Sequence, residues 1–330
     1  MSGHGERGQR NKSIYYKILQ NHMKDISQGD IQNNIPLVSR KEFDRKVQAG
    51  NVEIGKEKIV VIAGPCTVES KEQVMQTAKA VKQAGARMLR GGVFKPLTFP
   101  YGDPLGKADR DSGGQDKDRM EILSKKELFA RAEKRLAYLK EAGETYGLPV
   151  ISEVLYAETV PMMEKYVDMF QIGYRHMFNM DLIAALSETE KPLMLKRHYG
   201  ESLRSLLGVA EHFEARGKHN FVIAERGVAS PHTHNPESRA IIDIQAIPAL
   251  KEYAPTVPVL VDPSHSTFKR QYVAPVMRAA IAAGADGILI EVHPTPESAW
   301  VDPLHGLSFE AFAKVMKEIE GIANILGRSV

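Results

Sequence analysis

The chain has 330 residues, 43% hydrophobic and 26% charged, which is enough for one large domain or two ordinary ones with a sizeable core. A formal net charge of +3, with no lysine- or arginine-rich block and no RNA-binding motif, argues against a nucleic-acid protein held by phosphate contacts. Cys66 is the single cysteine, so no intramolecular disulfide can form; the polar start MSGHGERGQRNK lacks an apolar signal segment, and no run of about 18 apolar residues occurs, so a cytoplasmic protein without a membrane span is expected.

Residues 1–57 read as an extension rather than a full domain. A helix is predicted near IYYKILQNHMKDI, another near SRKEFDRKVQAG, and then a hairpin in NVEIGKEKIVVIAG that leads into the first strand. Together they suit a plug or lid on the bottom of the domain built by the remaining chain. Over 58–330, short β-branched runs alternate with longer helical patterns. Strands are predicted at 58–64, 87–92, 149–154, 168–173, 192–197, 220–227, 257–264 and 286–292, each nearly continuously apolar, as strands buried on both faces should be. Between them lie helical patterns such as SKEQVMQTAKAVKQAGA, with apolar residues three and four apart and a glycine near the end. Strand then helix, eight times over, predicts an α/β fold of the (β/α)8 TIM-barrel type. A doubly wound open sheet would show fewer strands and a GxGxxG first turn, which is absent. The polar, glycine-rich stretch 102–127 reads as an insertion of the kind that forms functional loops.

In such a barrel the site lies where the strands end, and nearly every predicted strand ends in a reactive side chain. Cys66, His265, Glu291 and Asp302 supply a thiol, an imidazole and two carboxylates, a mixed S/N/O set that suits Mn, Fe, Co or Zn and suits Mg poorly. Arg90, Lys95, Arg175, Lys196 and Arg226 are five cations converging on one mouth, which implies a multiply charged anion such as a phosphate ester bearing a carboxylate. The competing reading makes Cys66 a small buried hydrophobe and pairs the cations with Glu153, Glu225 and Asp262 in a structural network. The HTH at His232 to His234 prompts a barrel metallohydrolase as another class.

The ordered motifs AGPCTVES, MLRGGVFKP, QIGYRHM, LMLKR, AERG, DPSHS and IEVHP with a downstream aspartate resemble the 3-deoxy-D-arabino-heptulosonate 7-phosphate (DAHP) synthase family. The likeness is to the subclass related to 3-deoxy-D-manno-octulosonate 8-phosphate synthase and covers roughly residues 55–325. It implies a metal-dependent condensation of phosphoenolpyruvate with an aldose phosphate, erythrose 4-phosphate in the family, with release of phosphate, in a homodimer or homotetramer. By the same resemblance Cys66, His265, Glu291 and Asp302 are the metal ligands, and the last three keep the family's gaps of 26 and 11 residues. Arg90, Arg175, Lys196 and Arg226 would clamp phosphoenolpyruvate, and Lys95 would serve both substrates. Pro96 and Thr98 complete the expected substrate-binding set, and Lys95, Cys66, His265 and Glu153 the catalytic one.

Three departures gather on the acceptor side. The family's Lys-Pro-Arg-Thr-Ser-Pro loop reads KPLTFP here, with Leu97 and Phe99 replacing Arg and Ser. After ERG the chain runs VASPHTHNPESR, and the insertion is the third departure. A different aldehyde acceptor is therefore a second expectation, with Thr98, Arg110, Arg197, His232 and His234 as substitutes for the missing phosphate ligand. A catalytically inactive phosphoenolpyruvate-binding protein is a third.

Overall fold

In the computed structural model, which describes residues 31–55, 57–96, 123–230 and 239–330, the eight apolar runs close into one parallel barrel. The strands are β1 Val47–Ala49, β2 Val52–Ile54, β3 Val60–Gly64, β4 Met88–Arg90, β5 Val150–Val154, β6 Met169–Ile172, β7 Leu193–Lys196, β8 Phe221–Glu225, β9 Val259–Val261 and β10 Gly287–Glu291. Each barrel strand from β3 to β10 pairs with its successor, and β10 returns to β3. Every residue of these strands is buried except the half-buried Glu153, which is why they read as unbroken apolar runs rather than alternating ones.

The helices are α1 Lys71–Gln83, α2 Lys125–Tyr146, α3 Val160–Met163, α4 Met180–Ser187, α5 Leu203–Ala215, α6 Ala246–Tyr253, α7 Pro263–Thr267, α8 Arg270–Ala282 and α9 Phe309–Ile325. Short polar side chains start them: Ser70, Ser202 and Ser308 each accept a first-turn N–H, an arrangement worth about 1 kcal/mol apiece. Ser124 and Glu127 cap α2 reciprocally, and Gly147 ends it in the left-handed conformation at φ 62°. The end of the stretch read as an insertion is therefore helical. One apolar cluster fills the space between barrel and helices, and a second fills the barrel itself. No helix among the described residues is long and apolar enough to cross a membrane.

The amino-terminal elements differ from the sequence reading. The helix expected near IYYKILQNHMKDI lies outside the described residues. The one expected over SRKEFDRKVQAG is absent: its end forms β1, which pairs with β2 across Gly50 and Asn51, Val47 opposite Ile54. The hairpin thus precedes the position predicted for it. Val47, Ala49, Val52 and Ile54 alternate along these strands and join Val60, Met88 and Leu260 in the barrel's inner cluster, so burial of a period-two stripe overrides the helical character of KEFDRK. Gly50 packs against Pro149 and Gly55 against Pro258, the residues just before β5 and β9, so the hairpin closes the end of the barrel where strands begin.

Residues 35–45 are tied to α5 by charge. The Glu211 carboxylate accepts the N–H groups of Leu37 and Val38 at 3.0 and 2.9 Å, and burial pushes its pKa up to about 7. Fully buried Glu214 pairs with Arg40 and Arg45, each at 2.6 Å, and meets His219 Nδ1 at 2.7 Å.

Candidate metal centre and anion pocket

Among the described residues, the polar side chains that follow the barrel strands lie at the opposite, carboxyl-terminal end of the barrel. The β10–β3 register sets Glu291 beside Gly64, so the chain two residues further on brings Cys66 to the same spot. One ligand atom each from Cys66, His265, Glu291 and Asp302 lies within 4.8 Å of the others. Asp302 reaches this point from a loop and holds a left-handed φ of 53° to do so.

Asp262 organises the imidazole. One of its oxygens caps α7 by accepting the His265 N–H at 3.1 Å; the other lies 2.8 Å from His265 Nδ1 and 2.6 Å from Lys196 Nζ. His265 Nε2 is left facing Glu291 Oε1 at 2.9 Å. Burial opposes a charged imidazole, yet Asp262 and Glu291 together push its pKa up to about 10. Burial is the largest influence on both carboxyls and opposes their ionisation, yet both are held well below the usual carboxylate range, Asp262 by His265 with Lys196 and Glu291 by His265 with Arg90 and His305. The second Glu291 oxygen is 2.6 Å from Nε2 of fully buried His305, and the Glu291 N–H donates to Ser264 Oγ. Asp302 lies at about 2 despite burial, drawn down by His305 and Arg239.

The donor set passes the chemical test for a divalent transition ion: sulfur, imidazole nitrogen and two carboxylates converge in a buried space, with the imidazole oriented through its other nitrogen by a carboxylate. Burial and then the neighbouring Glu291 push the Cys66 thiol up, while Lys95 opposes them from 3.0 Å. Lys95 can fold back so closely only because residue 92 is glycine; a Cβ there would stand 2.7 Å from its Nζ and 2.6 Å from the Cys66 carbonyl oxygen.

Beside the donors opens a cavity of about 200 Å³. Lys95, Arg175, Lys196, Arg226 and Arg239 line it as cations, against the carboxylates of Glu153 and Asp302. Arg175 is exposed at the rim, while Lys196 and Arg226 are buried. Arg226 is distinctive: it is 1% exposed, and among the described residues neither terminal guanidinium nitrogen has a hydrogen-bond partner. Burial, with Arg239 and Arg175 adding repulsion, lowers its pKa.

Of the predicted cations, Arg90 is not on the cavity wall; it is buried in an ion pair with Glu291. Lys196 is paired with Asp262, as the structural reading anticipated, yet still lines the cavity. Pro96 and Glu153 line it too, Glu153 accepting from Gln171 Nε2 at 3.1 Å. The Glu153 carboxylate lies against Gly173, where a Cβ would fall 1.7 Å from Oε1 and displace it. Leu97, Thr98, Arg110, His232 and His234 lie outside the described residues. Arg197 is no cavity residue: it is buried on Glu225 and Asp243 at 2.9 and 3.0 Å.

Sequence reasoning missed Tyr174, Arg239 and His305. Tyr174 stood inside a quoted motif, one residue from Arg175, but its ring announced no chemistry. Arg239 belongs to no strand end, and only tertiary structure brings it to Asp302 Oδ1 at 3.0 Å.

The chain and its barrel have counterparts among known proteins. A model of the DAHP synthetase I family matches residues 34–102 and 130–324. The phospho-2-dehydro-3-deoxyheptonate aldolase of Thermotoga maritima is 37% identical over 89% of this chain and 79% of its own. The 2-dehydro-3-deoxyphosphooctonate aldolase of Syntrophobacter fumaroxidans is 28% identical over 83% and 90%. The crystal structure of the Thermotoga maritima DAHP synthase superimposes with a TM-score of 0.75 at 35% identity, covering 88% of this chain and 76% of that one. A truncated form of the 3-deoxy-D-arabino-heptulosonate 7-phosphate synthase from the same organism gives 0.75 at 34% identity, over 90% and 99%. The matched segments carry all four metal-donor residues and every cavity cation: the chain belongs to the DAHP synthetase I family of enzymes.

Proposed function

We propose that the chain condenses phosphoenolpyruvate with an aldose phosphate, erythrose 4-phosphate by family likeness, giving a 3-deoxy-2-ulosonate and inorganic phosphate. The observation that carries this reading is Arg226: a buried guanidinium with two nitrogens unpartnered among the described residues, lining a cavity that also reaches Cys66, His265 and Asp302 of the S/N/O donor cluster. A cation so placed wants an anion with several acceptor oxygens. Arg175 and Lys196 supply further positive charge for the same ligand, and Arg90, buried in its pair with Glu291, helps keep that carboxylate ionised.

A divalent ion held by Cys66, His265, Glu291 and Asp302 would supply Lewis acidity to the aldehyde carbonyl. The chain's own groups do the rest. The cations fix the enol phosphate so that its C3 attacks the aldehyde carbon, water adds at C2, and the C2–O bond breaks with loss of phosphate. Burial opposes the Lys95 charge, but a Cys66 thiolate, the form that would hold a metal, raises the Lys95 pKa, so the ammonium is kept and can give a proton to the oxygen of the attacked aldehyde. Glu153, held by Gln171, is suited to orient the water. Mn, Fe, Co and Zn are the ions the donor set favours. Family likeness further supports a cytoplasmic homodimer or homotetramer serving aromatic amino acid synthesis.

Leu97 favours a second reading, in which the phosphoenolpyruvate half is kept and the aldehyde differs. The experiment is a phosphate-release assay with phosphoenolpyruvate, each of the four metals and a panel of phosphorylated and unphosphorylated aldehydes. Turnover of erythrose 4-phosphate well above the others supports the first reading and removes the second. Binding of phosphoenolpyruvate with no turnover of any aldehyde would leave only a binding protein.

A further inference from the structure

A buried arginine whose terminal nitrogens find no hydrogen-bond partner among the described residues should be loose. Arg226 is surrounded by reasons to move: Arg175 and Arg239 repel it, and Asp262 attracts it without a hydrogen bond to either terminal nitrogen. What it does contact is an aromatic face. The Arg226 Cζ lies 4.0 Å from the centroid of the Tyr174 ring, and the Arg175 Cζ lies 4.7 Å from the same centroid. The ring is itself held. Tyr199 and His198 stand 5.5 and 5.6 Å from it, and these two stack on each other at 4.5 Å with 24° between their planes.

We infer that Tyr174 is a positioning residue for phosphoenolpyruvate binding: its ring, clamped by His198 and Tyr199, holds the Arg226 guanidinium in place before the anion arrives. Arg175 rests on the same platform, which gathers two mutually repelling cations on one ring quadrupole. Freezing a long side chain in advance removes an entropy cost that binding would otherwise carry, so the effect is on affinity rather than on bond making. Burial keeps His198 below its ordinary pKa, with Arg226 and Arg175 adding to the effect, so near neutrality it adds no third positive charge to the stack. The inference rests on the phosphoenolpyruvate reading of the pocket.

The test compares wild type, Tyr174→Phe, Tyr174→Leu and His198→Ala in steady-state kinetics, in calorimetric titration with phosphoenolpyruvate, and in thermal melts. Loss of a desolvated cation–π contact predicts a rise of about 30-fold in the KM and Kd for phosphoenolpyruvate in Tyr174→Leu, with kcat and the acceptor KM within about threefold. Tyr174→Phe keeps the ring and should stay within about threefold of wild type throughout. His198→Ala loosens the ring without removing it and should show a smaller rise of the same kind, a check that survives even if Tyr174→Leu folds poorly. A phosphoenolpyruvate affinity in a folded Tyr174→Leu equal to wild type overturns the inference, as does a Phe variant as impaired as the Leu variant. If wild type itself does not bind phosphoenolpyruvate, the functional reading falls first and takes this inference with it.

Discussion

Asp262→Asn removes one charge and leaves the shape. Asp262 is fully buried, and its Oδ2 accepts from both Lys196 Nζ and His265 Nδ1 at 2.6 and 2.8 Å. In the variant the side-chain oxygen can keep the α7 cap, since Asn serves at a helix start as well as Asp. The amide nitrogen then faces two donors. Lys196, 3% exposed, loses the charge that offsets its burial, and breaking a buried pair in this way costs about 3–5 kcal/mol. Its pKa, already lowered by burial, falls further and weakens the cationic wall. His265 loses the partner that fixes Nδ1, so Nε2 is no longer held toward Glu291, and metal affinity should drop about 10–100-fold. Urea unfolding of the metal-free protein reads the first effect, and competition with a chelator of known affinity reads the second. Stability within about 1 kcal/mol of wild type, together with unchanged metal affinity, would refute the reasoning.

The amino-terminal junction carries its own pH signature. The folded-state pKa of Glu211, about 7, lies above its ordinary 4.5, so its contribution is complete below about 4.5 and is lost as pH rises through about 7. Wild type should therefore lose more stability than Glu211→Gln between pH 5 and 8, by at most about 3 kcal/mol and less for the solvent access the side chain retains; parallel urea midpoints at the two pH values would contradict it. Cys66→Ser should weaken binding of the softer ions more than that of Mn, measured by the same chelator competition, because a hydroxyl replaces a thiolate donor. Leu97→Arg should lower the KM of a phosphorylated aldehyde by about tenfold and leave that of an unphosphorylated one unchanged, the value of one charge-assisted contact.

The barrel was legible because burial on both faces writes strands as unbroken apolar runs, and because a polar residue ending such a run stands out. Cys66, Glu291 and Lys196 could be found in that way. The position of the hairpin could not. Val47, Ala49, Val52 and Ile54 make two three-residue strands around Gly50 and Asn51, too short for an alternation to outweigh the charged helix-like stretch before them. Only contact with the barrel's interior decides their conformation. The depth of the cations was not legible, since nothing local tells Arg90, buried on Glu291, from Arg226, buried with its terminal nitrogens unpartnered among the described residues. Arg239 and the Tyr174, His198 and Tyr199 stack are products of tertiary placement alone.

The central claim is that the cationic pocket and the donor cluster act together to join phosphoenolpyruvate to an aldehyde. Mass spectrometry of the products formed from carbon-labelled phosphoenolpyruvate and the best aldehyde, with phosphate counted in parallel, tests it directly. The predicted result is a new 2-ulosonate containing all three labelled carbons, one phosphate released per product, and loss of both after chelation with recovery on adding a divalent metal. Labelled pyruvate as the product, or phosphate release indifferent to chelation, would contradict it.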